Sequence, residues 1–272
     1  VALCWVRIFE RHYAKGIMNG KRISYGPDAS QYGELYLPEE RSHPGIVVII
    51  HGGYWRSRYG AELGAPLAKD LSGRGWVCWN LEYRRMGNGG GWPETFEDIA
   101  TGIDKLAELA REHGLGLDAV VALGHSAGGH LATWAGGRDQ LPAGAPGSAP
   151  AVRLKAVVSQ AGLLDLRSAF EAGLSNGAVA EFLGGTPTDY PRRYEWADPL
   201  VQVPLRIPVY ALHAEDDTAV PISQSTAYVA AAVEAGATAE LVPVRGGHFD
   251  LIDPGSEAFA KCRHLLERAV VE

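Results

Sequence analysis

The stretch Ala119-Val120-Val121-Ala122-Leu123-Gly124-His125-Ser126-Ala127-Gly128-Gly129-His130 decides how the rest of the chain is read. A short β-branched run feeding Gly-x-Ser-x-Gly and then a helix-forming sequence is the pattern of a nucleophile elbow, a sharp strand-to-helix turn that lifts a serine hydroxyl off the sheet edge. Ser126 is the residue so presented, and glycines flank it because the strained turn tolerates no bulk beside it. A chain with 34 glycines produces the bare pattern by chance at an appreciable rate, so its surroundings have to decide.

Upstream, Ile46-Val47-Val48-Ile49-Ile50 is apolar throughout. Such a run marks a strand covered on both faces by helices, and so a mostly parallel sheet. It leads directly into His51-Gly52-Gly53-Tyr54-Trp55, where two glycines let backbone amides turn outward, a loop able to hold the oxyanion of an acyl-transfer intermediate. Before it, Tyr32–Leu37 alternates and stops at Pro38, which predicts an antiparallel strand at the edge of the sheet. Between the two motifs we expect a helix over 64–72 and a strand over 76–83. After Pro93, which suits a first helical turn, a helical stripe of Phe96, Ile99, Ala100, Ile103, Leu106 and Ala110 follows. Glu82 and Arg84 at the end of the second strand are read as braces for neighbouring loops.

Downstream, a helix over 127–135 continues the elbow, its N-terminal dipole favouring negative charge near Ser126. Residues 136–152 read as an exposed excursion and Lys155–Gln160 as a strand. The irregular segment 165–204 is expected to be a lid-like insertion that influences substrate choice. Pro208–His213 is a strand that delivers Glu215-Asp216-Asp217-Thr218-Ala219-Val220-Pro221, and Glu240–Val244 a strand that delivers Arg245-Gly246-Gly247-His248-Phe249-Asp250. A helix from about 256 to 271 closes the chain.

A serine hydroxyl needs a base within hydrogen-bond reach, and the base needs a group that fixes its tautomer. His248, in a Gly-Gly-His loop, is the base expected for Ser126. Asp217 is the orienting acid, with Asp216 its rival one residue away; Asp250 is expected to cap locally, and His213 to be packed. His125 and His130 flank the serine in sequence, but neighbours on this turn point away from its Oγ, so both are assigned packing or hydrogen-bonding roles. The amides of Ala127 and of Gly53 and Tyr54 are the candidate oxyanion donors, and Trp55 and Trp92, with Tyr54, are candidate walls of an aromatic-friendly pocket, each with core packing as the equal alternative.

Composition narrows the classes. At 272 residues with 46% hydrophobic content the chain suits one α/β domain over 18–272, with residues 1–17 read as an extension or added segment. A formal net charge of −7 and no Lys/Arg-rich run argue against nucleic acid or an anionic membrane as partner. No apolar stretch approaches the roughly 20 residues of a membrane span and no signal-peptide layout is visible, so a cytoplasmic location is expected. Three scattered cysteines make neither a disulfide framework nor a zinc site, and Cys78 is read as core. Neither His-Glu-x-x-His nor a dinucleotide fingerprint is present, so no metal or cofactor is expected; a small neutral or weakly polar substrate is the expected partner, with a homodimer left open.

The order serine, acid, histidine is the chain order of α/β-hydrolases. From about Lys21 onward the chain resembles that superfamily, and His51-Gly52-Gly53-Tyr54-Trp55 together with Gly124-His125-Ser126-Ala127-Gly128-Gly129-His130-Leu131 resembles the kynurenine formamidase (arylformamidase) group and the small carboxylesterases related to hormone-sensitive lipase. The resemblance implies a mostly parallel twisted sheet with helices on both faces. It also implies Ser126, Asp217 and His248 as a triad, the His-Gly-Gly loop as oxyanion hole, and cleavage of a carboxylic ester or aryl formamide through an acyl-serine. The alternatives are a non-catalytic binding protein of the same fold and a peptidase, amidase or dienelactone-type hydrolase; the last normally carries cysteine where Ser126 stands.

Overall fold

β3 (Ile46–Ile50) lies in the middle of an eight-stranded sheet, hydrogen-bonded in parallel to β4 (Val77–Leu81) on one side and β5 (Val120–His125) on the other. The computed structural model describes residues 20–271. The strand order is β1-β2-β4-β3-β5-β6-β7-β8, with β6 at Ala156–Gln160, β7 at Val209–Ala214 and β8 at Ala239–Val244, all parallel to their neighbours.

The unbroken apolar runs have the expected cause. Ile46, Val48 and Ile50 point into the core on one face, while Val47 and Ile49 point into a second core on the other, as the period of two requires. All five are at most 1% exposed, and each such burial stabilises by about 1.5–3 kcal/mol. The second core is covered by α1 (Ala65–Gly73), through Leu67, Ala68 and Leu71, and by α9 (Glu257–Val271), whose Phe259, Cys262 and Leu266 face inward. The first is covered by α2 (Glu94–Asp104), α3 (Leu106–His113), α4 (Ala127–Gly136) and α8 (Ser223–Glu234). Cys78 is buried in the second core.

Three expectations change. The alternating strand, β2 (Tyr32–Tyr36), is antiparallel to β4 but is not the edge: β1 (Lys21–Ser24) pairs outside it. β1 offers one apolar side chain in four, so no alternation betrays it, and its exposed Lys21 and Arg22 protect the open edge. The helical stripe from Phe96 to Ala110 is two helices rather than one. The break sits where the Trp79 indole donates to Gly102 O at 2.9 Å, the carbonyl that the amide of residue 106 would use in an unbroken helix.

Segment 165–204 is more regular than its sequence suggests, carrying α5 (Leu166–Glu171), α6 (Leu174–Leu183) and α7 (Pro191–Ala197). Each buries a few residues in the first core, among them Ala169, Phe182 and Tyr194. These helices are too short for a clear 3.6 stripe, and Ser175, Asn176 and Gly177 at the start of α6 take left-handed φ values. The reading of residues 1–17 lies outside the described residues. Among the described residues no helix is long and apolar enough to cross a membrane.

Candidate active site

Sheet register brings the motifs together. Ile50 pairs with Gly124, so the loop after β3 and the turn after β5 leave the sheet side by side. Ala214 pairs with Val244, which does the same for the loops carrying Asp217 and His248. Both pairs of loops emerge at the carboxyl ends of parallel strands, where open α/β sheets place their ligands.

Ser126 takes φ 56° and ψ −121°, a backbone state that costs on the order of 1–3 kcal/mol. The surroundings over-determine it: Ser126 N–H donates to Gln160 O at 2.8 Å, and Ser126 O accepts from His130 N–H at 3.1 Å. The glycines are required by close approach, since a Cβ on Gly128 would stand 2.0 Å from Ile50 O. Ser126 is 2% exposed at the start of α4, where the Ala127 amide, first in the helix, has no intrahelical acceptor.

Asp217 and His248 are paired. His248 Nδ1–H donates to Asp217 Oδ2 at 2.6 Å, while Asp217 Oδ1 accepts the amides of Ala219 and Val220, each at 2.8 Å. Burial alone would raise the Asp217 pKa, but the hydrogen bond and charge of His248, with the two amides, outweigh it and hold the carboxyl below its ordinary value. Asp216 is exposed, and among the described residues only its backbone is engaged, with N–H donating to Gly246 O at 3.1 Å. The structure therefore brings Asp217, not its neighbour, to the histidine. Asp250 caps its own loop by accepting Gly247 N–H at 2.7 Å.

Three more histidines, His125, His130 and His213, are each held by definite contacts. His125 Nε2–H donates to His248 O at 3.0 Å and its ring lies 4.4 Å from that of His248, so the residue before Ser126 tethers the His248 loop to the elbow. Burial pushes its pKa down to about 3. His130 accepts the Trp55 indole N–H on Nδ1 at 3.2 Å and donates Nε2–H to Ala197 O at 2.9 Å, with burial lowering its pKa to about 4. His213 donates Nε2–H to Val220 O at 2.9 Å and meets Ser225 Oγ at 2.8 Å.

In the loop after β3, Gly53, Tyr54 and Trp55 have φ values of 113°, 50° and 56°, so the left-handed course extends past the glycines to two aromatic residues. Tyr54 is held by its hydroxyl, which donates to Ala219 O at 2.5 Å and ties this loop to the acid loop. Among the described residues neither the Gly53 nor the Tyr54 amide has a protein acceptor. Trp55 requires a correction: it is 0% exposed and stacks on Phe182 at 4.5 Å, so it is core beneath the site and not a pocket wall. Trp92 is half-buried and lines a surface depression of about 480 Å³ with Tyr190, Arg192 and Trp196. Glu82 and Arg84 do brace loops: Arg84 pairs with Asp98 at 2.7 Å and Glu82 with Arg85 at 3.0 Å.

Sequence reasoning missed the tethers His125 to His248 and Tyr54 to Ala219, which join loops 123 and 165 residues apart and leave no local signal. Among the described residues no three His, Cys, Asp or Glu side chains gather closely enough to hold a metal ion.

Comparison with known proteins agrees with this architecture. The profile of the BD-FAE family matches residues 34–231. Esterase LipC of Mycobacterium tuberculosis is 26% identical over 253 residues, 86% of this chain and 60% of LipC; Esterase LipQ of the same organism is 28% identical over 196 residues, 71% of this chain and 46% of LipQ. The chain thus spans less than two thirds of the curated relatives it matches. Among solved structures, a truncated carbohydrate esterase from gut microbiota superposes with a TM-score of 0.80 at 21% identity, covering 95% of this chain and 99% of that one. Esterase B from Lactobacillus rhamnosis, inhibited, gives 0.82 at 20% identity, covering 98% and 91%. With a family match over more than half its length and this sheet order, the chain belongs to the BD-FAE family of α/β-hydrolases.

Proposed function

We propose that the protein is a serine carboxylesterase that cleaves a small carboxylic ester through an acyl-Ser126 intermediate. The observation that carries this reading is the Asp217–His248 pair, bonded at 2.6 Å, on a loop that His125 ties to the elbow of Ser126. The esterase names of the sequence relatives support the same class.

In this reading His248 Nε2 accepts the proton of Ser126 Oγ as the oxygen attacks the acyl carbon. Asp217 stays ionised, fixing the Nδ1–H tautomer and stabilising the imidazolium that forms. The tetrahedral oxyanion is received by the amides of Ala127 and of Gly53 and Tyr54, each such donor contributing about 3–4 kcal/mol in comparable enzymes. His248 then protonates the departing alcohol, and a water, deprotonated by the same imidazole, releases the acid and restores Ser126.

The test is side-by-side hydrolysis of p-nitrophenyl acetate, p-nitrophenyl octanoate and N-formyl-L-kynurenine, with fluorophosphonate labelling and Ser126→Ala as blank. Ester turnover with labelling that disappears in Ser126→Ala is expected. Strong formyl-kynurenine turnover with weak ester cleavage would move the assignment to an aryl formamidase. A wild-type protein that neither labels nor turns over any of the three would point to a binding protein on the same fold.

A further inference from the structure

Resting on the serine-esterase reading, we infer that His51 is a buried imidazolium that positions and polarises the oxyanion hole through the Gly52–Gly53 peptide. The reasoning begins with a count of donors and acceptors. His51 Nδ1 lies 2.8 Å from Gly52 O, a carbonyl, and Nε2 lies 3.1 Å from Glu82 Oε1, a carboxylate. A carbonyl and a carboxylate only accept, so both ring nitrogens must donate, and a ring that donates from both carries a positive charge. His130, equally buried, shows the contrast: it accepts on one nitrogen and donates from the other, as a neutral ring does.

Glu82 is built to stay ionised opposite this charge. Its Oε1 accepts the Tyr83 amide at 2.7 Å and pairs with Arg85 Nη2 at 3.0 Å, and its Oε2 accepts the Ala61 amide at 2.8 Å. The groups facing the His51 ring are therefore one carboxylate, the Arg85 guanidinium beyond it, and the Tyr83 ring stacked 4.4 Å away at 14°. Arg85 opposes the imidazolium; the direct carboxylate contact and the carbonyl favour it. Tyr83 also donates its hydroxyl to His51 O at 2.8 Å, so both ends of the residue are pinned.

The consequence lies in the peptide that follows. In a trans peptide the C=O and N–H point in opposite directions. With Gly52 O turned back toward His51, the Gly53 N–H turns away from it, and Gly52 itself abuts the elbow: a Cβ there would stand 2.9 Å from that of Ser126. A charged donor on the carbonyl draws electron density from the amide and strengthens its N–H as a donor, the cooperative effect of linked hydrogen bonds. Glu82, His51 and the Gly52–Gly53 peptide form one line that ends at a candidate oxyanion donor. His51 touches no substrate; it is a positioning residue, and the fifth histidine, after His248, His125, His130 and His213, with a definite task around Ser126.

Two variants separate the contacts. His51→Asn keeps a neutral donor where Nδ1 reaches Gly52 O and gives up Glu82; His51→Gln keeps the donor toward Glu82 and gives up Gly52 O. On p-nitrophenyl acetate, His51→Gln is expected to lower kcat by about tenfold to a hundredfold with KM within about twofold, and His51→Asn to recover part of that loss. An Asn variant no better than the Gln variant would overturn the relay. Should either variant fail to fold, the wild type answers alone: nitrogen-detected NMR of histidine-labelled protein at pH 7.5 is expected to show both His51 ring nitrogens protonated and one bare nitrogen on His130. A bare nitrogen on His51 in an enzyme that labels with fluorophosphonate sinks the relay alone, whereas a wild type that does not label sinks the esterase reading and the role together.

Discussion

The loops around Ser126 and the helical segment 165–204 are attached to the sheet by different means. In the first region nearly every bond runs to a main chain: Ser126 N–H to Gln160 O, Asp217 Oδ1 to two amides, His125 to His248 O. In the second most attachments come from long side chains outside it, beside one main-chain bond, Trp92 N–H to Phe182 O at 3.1 Å. Arg56 reaches Glu181 at 2.7 Å and Ser175 Oγ at 3.1 Å, Trp55 stacks on Phe182, and Trp134 donates to Trp196 O at 2.9 Å. Main-chain anchoring follows sheet register and holds Ser126, Asp217 and His248 in place. Side-chain anchoring can be exchanged residue by residue, and on the proposed reading such a segment tunes what enters the site.

If that contrast is right, variants in the first region should act on turnover and those in the second on substrate binding. The largest effect is expected from Ser126→Ala, which should remove at least about a thousandfold of kcat/KM while leaving the urea midpoint near wild type. Activity close to wild type would break the assignment of the elbow. Next, Asp217→Asn should cost about a hundred- to ten-thousandfold in kcat, because Asn on Oδ2 presents the wrong partner to the Nδ1–H tautomer. Asp216→Asn, on an exposed side chain, should stay within about twofold. The reverse ranking, read from kcat at saturating ester, would move the acid by one residue.

A smaller effect of another kind is expected across the boundary. Arg56 and Glu181 are a third and a half exposed, so their ion pair contributes at most about 1 kcal/mol. Arg56→Ala should therefore leave folding intact but free the start of α6, raising KM for p-nitrophenyl octanoate several-fold with kcat changed little. A fall in kcat at constant KM would mean that the segment shapes the oxyanion loop and not the entrance, since Arg56 N–H also donates to Gly53 O at 3.1 Å.

The same division decides what could be read from the sequence. The elbow, the His-Gly-Gly loop and the acid and base loops were legible because each follows a strand and register alone makes them neighbours, as Ile50 with Gly124 and Ala214 with Val244. Trp55 could be read as pocket wall or as core, and only the fold decides: its ring turns inward to Phe182 and His130, contacts 127 and 75 residues away. β1 was missed for want of a pattern, and the helices of 165–204 for want of length. His51 was seen only as the first letter of a motif, because its partner Glu82 stands 31 residues on, at the end of the next strand in sequence.

The smallest and most conditional effect is on stability with pH, where the two regions oppose each other. His125 and His130 are buried neutral, with pKa values of about 3 and about 4 against 6.5 for the unfolded chain, so below pH 6.5 the unfolded state binds more protons and stability falls as pH falls. Asp198, at the end of α7, acts the other way: burial raises it to about 7, so between the unfolded value near 3.8 and pH 7 the folded state binds the extra proton and acidification stabilises. His213 is lowered by burial in the same direction, so the buried histidines outweigh the one carboxyl and acidification costs at least roughly 1 kcal/mol per pH unit between about pH 6.5 and 5. Urea unfolding across that window should show a loss of this sign, and His130→Gln should make the slope shallower by removing one of the buried neutral rings. A slope unchanged in His130→Gln would mean that His130 is not held neutral beneath the segment, and that the contact from Trp55 to Ala197 through its ring does not persist in solution.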